Sequence, residues 1–255
     1  RIGIAGLGTV GVGVIKILEE NAELITMRAG RPIEVVAVSA RSKNKDRGVD
    51  LSSYDWVDNT CALAEHENLD AVVELVGGSD GVALELVKGA LSNKRHVVTA
   101  NKALVAHHGY ELAEIAEDNK VSLAYEAAVA GGIPIIKAMR EGLAANNFTG
   151  VYGILNGTCN YILTQMRETG RDFADVLKDA QDLGYAEADP TFDVGGIDAA
   201  HKLCILTSLA FGVKPDLMGC GKAAGGGILP VSFVAGKKEI IDTLTPGSEG
   251  STFGG

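Results

Sequence analysis

Short apolar, β-branched runs alternate with helical patterns along the first half of the chain, and this alternation constrains the fold more than any other feature. Strands that alternate with helices through short turns are typical of a parallel, doubly wound α/β sheet. We predict a Rossmann-type sheet of this kind, followed by a second, α+β domain. The predicted strands are residues 2–5, 33–38, 71–76, 96–99 and 121–125 in the sheet and residues 148–155 in the second domain. The predicted helices of the first domain start near residue 10 and cover 82–91 and 103–119.

A glycine motif, Gly6-x-Gly8-x-x-Gly11, follows the first predicted strand and opens the first predicted helix. The first glycine permits a tight turn, the second lets a pyrophosphate approach the backbone, and the third lets the helix pack against the strand. The helix start adds free N–H groups and the positive end of a dipole. This context predicts a dinucleotide site that includes Thr9 and Val10, rather than a purely structural turn.

The end of the second predicted strand bears on the choice of cofactor. An acidic residue at this place binds the ribose 2′-hydroxyl of NAD, whereas basic residues accept the 2′-phosphate of NADP. The sequence after Ser39 has no carboxylate there but has Arg41, Ser42 and Lys43. These residues favour NADP, with NAD as the alternative; a solvated basic loop is the structural alternative.

A lysine and an aspartate stand one helical turn apart in the second half of the chain. Asp198 and Lys202 are separated by four positions, so they share one helix face. Most such pairs are surface salt bridges, but the apolar residues around this one predict partial burial. A half-buried lysine beside an aspartate is a credible proton donor to a developing alkoxide. His201 is the competing acid–base candidate, but it points about 100° away around the helix.

Three other polar patches are candidates for ligand contacts. One is the predicted strand-to-helix turn at residues 156–160, which has free backbone N–H groups and a hydroxyl and for which an ordinary helix cap is the alternative. Thr99 and Lys102 lie at the carboxyl end of the fourth predicted strand, where open α/β sheets bind ligands. The alternative for Lys102 is a surface lysine at a helix start. Glu187, Asp189 and Asp193 are predicted to lie in one loop, where their carboxylates are suited to an ammonium group.

The charge balance and the cysteines exclude several classes of protein. Lys and Arg number 23 against 33 Asp and Glu, which gives a net charge of −10 and argues against a nucleic-acid binder or a basic membrane-surface protein. No apolar run approaches the roughly 18 residues that span a bilayer. The cysteines lie far apart without metal-ligand spacing and the chain opens directly in a predicted strand, so we expect reduced thiols, no secretory leader and a cytoplasmic location. The cysteines are Cys61, Cys159, Cys204 and Cys220.

Five motifs resemble those of homoserine dehydrogenases, in the same order over residues 1 to about 215. The resemblance implies NAD(P)-dependent interconversion of L-homoserine and L-aspartate 4-semialdehyde, in threonine, methionine and isoleucine biosynthesis. It also implies a second domain that dimerises, a cleft shared between domains, and a homodimer or homotetramer. The motifs are residues 6–11, 99–104, 153–163, 183–190 and 193–202.

The resemblance also implies a role for individual residues. Lys202 would donate the proton to the aldehyde oxygen, with Asp198 beside it, and Lys102 would contact both the nicotinamide side and the substrate. Glu126 and carbonyl oxygens of the loop after it would hold a structural monovalent cation, sodium. The further residues implied are Gly157, Thr158, Glu187, Asp193 and again Asp198 for the substrate, Gly77, Thr99 and Gly184 for the cofactor, and Val129, Gly131 and Ile133 for the cation.

The end of the chain departs from the family pattern. The run 219–225 resembles the segment with which the family returns to the cofactor domain, but it arrives too soon along the chain. We therefore predict a dinucleotide-binding domain over 1–126, a substrate-binding and dimerisation domain over 127–215, and a Gly-rich tail over 216–255 that returns to the first domain after omitted segments. The competing functions are another NADP-dependent reductase of a small aldehyde or imine, and a non-catalytic dinucleotide-sensing module.

Overall fold

A computed structural model describes residues 1–212 and the backbone of two short strands at 217–220 and 233–236. The chain divides into two compact units, Arg1–Ala138 and Met139–Gly255. Most of the predicted tail over 216–255, including most of the run 219–225, lies outside the described residues.

The first unit is built on one parallel sheet. Its strands are β1 (Ile2–Ala5), β2 (Val35–Ser39), β3 (Asp55–Trp56), β4 (Ala71–Glu74), β5 (His96–Thr99) and β6 (Leu123–Ala124). They lie in the order β3-β2-β1-β4-β5-β6, and every neighbouring pair is parallel. The predicted doubly wound sheet is confirmed, and its order places the reversal between β1 and β4, where such sheets bind ligands.

Helices cover both faces of this sheet and bury its apolar strands. The core on one face includes Leu63, Leu86 and Leu104, and the core on the other includes Ile4 and Ile15. The helices of this unit are α1 (Thr9–Glu20), α2 (Ala22–Ala29), α3 (Val82–Ser92), α4 (Lys102–Asn119) and α5 (Ile135–Lys137), with 3₁₀ turns at Thr60–Ala64 and Glu126–Ala128. A π-helical turn at Ala138–Gly142 spans the boundary along the chain between the two units.

Several predicted elements of the first unit differ from the structure. β3 and α2 are not predicted, because β3 has only two residues and α2 buries none of its side chains. The third predicted strand, β4, ends at Glu74 instead of residue 76. The carboxylate of Glu74 accepts hydrogen bonds from the N–H groups of Val76 and Gly77, and these bonds turn the chain away from the sheet.

The described part of the second unit is mainly helical. Its elements are α6 (Gly157–Thr169), α7 (Phe173–Asp182), α8 (Thr191–Val194), α9 (Ile197–Phe211) and the antiparallel pair β7 (Leu217–Cys220) and β8 (Phe233–Gly236). Residues of α6 and α7, among them Ile162, Met166 and Val176, form its small core.

Two predictions about this unit are wrong. Residues 148–155 form no strand, and Tyr152 and Ile154 are 95% and 77% exposed; no other strand among the described residues supplies a ladder to them. Asp193, predicted in a loop, lies in the short helix α8. Across the residues that the structure describes, no helix is both long enough and apolar enough to cross a membrane.

Candidate active site

The glycine loop between β1 and α1 has the geometry that a pyrophosphate site requires. Gly6 has a φ of +99°, and a Cβ atom there would lie 2.4 Å from the carbonyl oxygen of Leu75. A Cβ on Gly11 would lie 2.0 Å from the Gly6 carbonyl oxygen, whereas one on Gly8 would meet nothing within 4 Å. Gly6 and Gly11 are therefore required by the packing, while Gly8 borders open space, as the second glycine of the motif has to for a phosphate to approach the backbone.

The first turn of α1 presents its N–H groups at this loop. Thr9 and Val10 begin the helix and are exposed, and Gly8 at the N-cap has no side chain that caps these groups. Helix-start N–H groups combine with the positive end of the helix dipole to attract an anion. The predicted residues Thr9 and Val10 thus lie where the motif requires them.

The basic loop after β2 is fixed by a residue that sequence reasoning misses. Arg41, Ser42 and Lys43 are exposed, as a phosphate contact requires. The guanidinium of Arg47 donates to the carbonyl oxygen of Ser42 at 2.5 Å and to that of Leu7, in the glycine loop, at 3.2 Å. Arg47 therefore joins the basic loop to the glycine loop.

The carboxyl ends of β4 and β5 are joined by a buried hydrogen-bond network. Glu74 is fully buried and accepts from the hydroxyl of Thr99 at 2.5 Å, in addition to two N–H groups of the turn that follows it. Thr99 Oγ1 accepts from the N–H of Asn101, whose side chain caps α4 by accepting from the N–H of Leu104. The network therefore fixes the turn at which Lys102 begins α4.

Lys202 makes the predicted ion pair with Asp198. Its Nζ donates to Asp198 Oδ2 at 2.7 Å and to the carbonyl oxygen of Leu155 at 2.7 Å. The lysine side chain is 18% exposed and the aspartate 5%, so the predicted burial is confirmed. An ammonium has three N–H groups, which leaves one for a substrate oxygen after the contacts that the described residues make.

Asn156 connects this ion pair to a second carboxylate. Its Nδ2 donates to Asp198 Oδ2 and to Asp193 Oδ1, both at 2.8 Å. Its Oδ1 accepts from the N–H of Cys159 and so caps α6. One amide therefore holds together two of the carboxylates that were assigned to the substrate.

The structure brings some other predicted substrate residues to this cluster. Gly157 and Thr158 begin α6, and Thr158 Oγ1 donates to a backbone carbonyl of the α7–α8 connection at 2.7 Å and lies 3.3 Å from Asp193 Oδ2. Gly184 and Glu187 are exposed in that connection, and the carboxylate of Glu187 takes no part in the hydrogen bonds of the cluster within the described residues.

Two further titratable groups in this unit are less suited to proton transfer. The ring of His201 packs edge-on against Phe192, with 5.5 Å between centroids. Burial, and then the charges of Asp193 and Asp198, raise the pKa of the Cys159 thiol, which therefore stays protonated near neutral pH. Lys202 therefore remains the candidate proton donor of this unit.

The predicted cation loop follows β6. The carboxylate of Glu126 accepts from the N–H groups of Ile136 and Lys137 at 2.9 Å each, so it caps the short helix α5. No cluster of three or more His, Cys, Asp or Glu residues suited to a metal occurs in the described part of the chain. A cation in this loop would depend on Glu126 and backbone carbonyls, and oxygen ligands of this kind fit a hard cation. The carbonyls implied are those of Val129, Gly131 and Ile133.

Two family models match consecutive parts of the chain. The model for the NAD binding domain of homoserine dehydrogenase matches residues 6–126, and the homoserine dehydrogenase model matches residues 134–220. A homoserine dehydrogenase from Pseudomonas aeruginosa is 57% identical over 215 residues, which are 84% of this chain and 48% of that protein. The chain spans about half the length of the curated relatives it matches.

Solved structures agree with these matches. A homoserine dehydrogenase from Thiobacillus denitrificans is 53% identical with a TM-score of 0.78, over 83% of this chain and 49% of that one. A putative homoserine dehydrogenase from Archaeoglobus fulgidus is 35% identical with a TM-score of 0.72, over 82% of this chain and 68% of that one. The chain belongs to the homoserine dehydrogenase family. A hyperthermophilic archaeal homoserine dehydrogenase in complex with NADPH is 28% identical, with a TM-score of 0.75 over 84% of this chain and 70% of that one.

Membership of the homoserine dehydrogenase family confirms the resemblance drawn from the motifs, and the first unit contains the family's NAD-binding domain. A third family model, for class-III aminotransferases, matches residues 204–255 and overlaps the homoserine dehydrogenase model at 204–220. The return of the tail to the cofactor domain stays a prediction.

Three residues that organise the two sites are absent from the predicted set. Glu74 had a usable signal, because a carboxylate at the end of an apolar, buried strand needs hydrogen-bond donors. Asn156 is interpreted from the sequence only as part of a candidate ligand-contacting turn or as an ordinary helix cap. The cap is real but is only one of its contacts. Arg47 had no signal, because nothing distinguishes it from the other basic residues of its loop.

Proposed function

We propose that the protein interconverts L-homoserine and L-aspartate 4-semialdehyde with a nicotinamide dinucleotide, as an oxidoreductase acting on a CH–OH group in threonine, methionine and isoleucine biosynthesis. The single observation that carries the proposal is the partly buried ammonium of Lys202. It is oriented by Asp198 and a backbone carbonyl, and it keeps one N–H for a substrate oxygen. The names of the relatives support the same activity.

The first unit binds the cofactor in this proposal, with NADP preferred over NAD. The open space at Gly8 takes the pyrophosphate, and the exposed Arg41 and Lys43 neutralise the 2′-phosphate, with Ser42 as a hydrogen-bond donor. The related archaeal enzyme in complex with NADPH supports this preference. The other proposed contacts are Gly6, Thr9, Val10, Gly11, Gly77, Thr99, Lys102 and Gly184.

The residues around Lys202 supply the proton transfer. The nicotinamide, when bound, exchanges a hydride with the carbon that carries the reacting oxygen. Lys202 donates its free N–H proton to that oxygen as negative charge develops during aldehyde reduction. Asp198 holds the ammonium in place, and during oxidation the same nitrogen takes the hydroxyl proton.

Carboxylates hold the amino-acid end of the substrate. Asp193 is half-buried and receives one hydrogen bond from Asn156, so its oxygens retain acceptor capacity for an ammonium group. Glu187 adds a second, exposed negative charge, and Lys102 supplies a positive charge on the nicotinamide side. Gly157 and Thr158 contribute from the start of α6.

The remaining proposals concern the cation, the assembly and the location. Glu126, with the carbonyls of Val129, Gly131 and Ile133, holds a structural monovalent cation, sodium. The protein forms a homodimer or homotetramer in the cytoplasm and has no nucleic-acid or membrane partner. The net charge of −10 supports the last point, because it disfavours polyanionic partners.

Turnover tests the proposed function directly. We expect NADPH to be oxidised when L-aspartate 4-semialdehyde is added, and NADP⁺ to be reduced when L-homoserine is added, both followed at 340 nm. No absorbance change with either substrate would contradict the proposal. In that case, turnover of another aldehyde or an imine would indicate a different reductase, and dinucleotide binding without turnover would indicate a sensing module.

A further inference from the structure

The most buried charged group of the first unit lies outside the residues that the proposed mechanism uses. Glu74 is fully buried at the end of β4, and its carboxylate accepts hydrogen bonds from donors at the carboxyl edge of the sheet. Its Oε1 accepts from the N–H groups of Val76 and Gly77 at 2.7 and 3.1 Å. Its Oε2 accepts from the hydroxyl of Thr99 at 2.5 Å.

The hydrogen bonds around Glu74 connect two turns that follow neighbouring strands. The first turn contains Gly77 and Gly78, both in left-handed backbone conformations with φ near +84° and +85°. The second is the turn from β5 to α4, in which Asn101 donates its side-chain N–H to the carbonyl oxygen of Gly78 at 2.6 Å. Thr99 completes the link, because it donates to Glu74 and accepts from the N–H of Asn101.

The hydrogen bonds at residue 74 require a side chain that has an acceptor atom at each of its two ends. The N–H groups of Val76 and Gly77 donate to one carboxylate oxygen, and the Thr99 hydroxyl donates to the other while its own oxygen accepts from the N–H of Asn101. Only a carboxylate offers two acceptor oxygens at these places. An amide of the same shape would point its NH₂ group at one of the two donor sites and leave a buried donor without an acceptor.

We infer that Glu74 is a positioning residue for the reaction: its carboxylate fixes the Gly77–Gly78 turn and, through Thr99 and Asn101, the turn that carries Lys102. This inference rests on the proposed function, in which Gly77 contacts the cofactor and Lys102 contacts the nicotinamide side and the substrate. Glu74 itself is buried beneath these turns and acts through them.

The test compares Glu74→Gln with the wild-type protein and with Glu114→Gln, which changes an exposed carboxylate on α4. Three quantities are measured: the Kd for NADPH by fluorescence titration, kcat with L-homoserine, and amide exchange at Val76 and Gly77. We expect Glu74→Gln to raise the Kd and to lower kcat, each roughly tenfold, because one buried donor loses its acceptor. Amide exchange of the two N–H groups should become faster, and Glu114→Gln should leave all three quantities unchanged.

A second pair of variants serves if Glu74→Gln does not fold. Thr99→Val removes the hydroxyl at nearly constant shape, whereas Thr99→Ser keeps it. We expect Thr99→Val to raise the Kd for NADPH and to lower kcat. Thr99→Ser should keep both quantities close to their wild-type values. Equal behaviour of these two variants would overturn the inference.

The outcomes separate this inference from the proposed function. A lower melting temperature of Glu74→Gln with unchanged Kd and kcat would make Glu74 a purely structural residue and would overturn the inference. A wild-type protein that binds NADPH but does not turn over L-homoserine would refute the proposed activity. The Kd and amide-exchange comparisons would then still decide whether Glu74 holds the cofactor turn.

Discussion

The two units prepare their sites by different means. In the first unit, the conformation of the backbone makes the site: Gly6 and Gly11 pack against carbonyl oxygens, and Gly8 borders open space at the start of α1. In the second unit, hydrogen-bonded side chains make the site, with Asn156 holding two carboxylates and Lys202 bound to one of them. Substitutions in the glycine loop should therefore change binding of the dinucleotide, whereas substitutions at Asp198 and Lys202 should change the chemical step.

The largest expected effect is that of Lys202→Ala, which removes the proposed proton donor. General-acid catalysis typically contributes about 10²–10⁴-fold, so kcat should fall by that order while the Kd of the dinucleotide stays near the wild-type value. Lys202→Arg should restore little, because a guanidinium does not release a proton near neutral pH. The control is Lys178→Ala, which removes an exposed lysine from α7 of the same unit.

Steady-state kinetics and dinucleotide titration on these variants distinguish the alternatives. Asp198→Ala should impair the same step by leaving Lys202 unoriented, so the double variant should lose less than the two single losses combined. A near-normal kcat in Lys202→Ala would show that the ion pair is structural. The proton would then have to come from Lys102, His201 or water.

The next largest effects on dinucleotide affinity are expected from substitutions of glycines in the glycine loop and α1. Gly11→Ala places a Cβ against the Gly6 carbonyl oxygen, so both stability and dinucleotide affinity should fall, the latter by about 10- to 100-fold for roughly 1–3 kcal/mol of strain. Gly8→Ala should lower only the affinity, because its Cβ meets nothing until a phosphate arrives. Gly13→Ala is the control: it lies inside α1 with open space and should lower neither.

Thermal unfolding and dinucleotide titration measure these two effects separately. If Gly8→Ala bound the dinucleotide as tightly as Gly13→Ala does, the pyrophosphate would not approach the loop as proposed. The first unit would then not form its site through the conformation of its backbone, and the proposed difference between the two units would be wrong.

A smaller, selective effect is expected from the double variant Arg41→Ala, Lys43→Ala. The affinity for NADP should fall about tenfold and that for NAD much less, because only NADP carries the 2′-phosphate that the two residues would neutralise. Arg28→Ala, Arg31→Ala is the matched control, since it removes two exposed positive charges elsewhere in the same unit. Equal losses of affinity for NADP and NAD in a binding titration would show that Arg41 and Lys43 do not contact the 2′-phosphate.

Local patterns in the sequence were enough to predict the parallel sheet and the ion pair of α9. The strand–helix alternation indicates the sheet, and the spacing of Asp198 and Lys202 places both on one helix face. Contacts between distant positions could not be obtained in this way. Asn156 reaches carboxylates 37 and 42 positions away, and Arg47 reaches Leu7 over 40 positions.

The wrongly predicted strand over residues 148–155 also shows that local patterns do not predict contacts between distant positions. Its alternation of apolar and polar residues is a local property, whereas a strand exists only when a second strand supplies the ladder. In the described part of the chain no such partner is present, and Tyr152 stays almost fully exposed. Periodicity alone therefore predicts which segments are able to pair, and the pairing itself depends on the rest of the fold.

The smallest expected effect concerns the scaffold of the first unit and not its site. The hydroxyl of Tyr54 donates to Glu19 on α1 at 2.5 Å, and burial, with the nearby Glu19 carboxylate, raises the pKa of Tyr54 to about 12. A pKa raised by folding means that this contact contributes fully below the unfolded value, near pH 10, and that its contribution is lost as the pH rises toward 12. Tyr54→Phe should lower the free energy of unfolding slightly at pH 8, by about 0.5 kcal/mol, and the difference from wild type should shrink above pH 10.

Urea unfolding followed by the fluorescence of Trp56, the only tryptophan, reports on this unit, with Tyr110→Phe on the exposed side of α4 as the control. A difference that stayed constant from pH 8 to pH 11 would show that the hydroxyl stabilises α1 without any change in its proton affinity on folding.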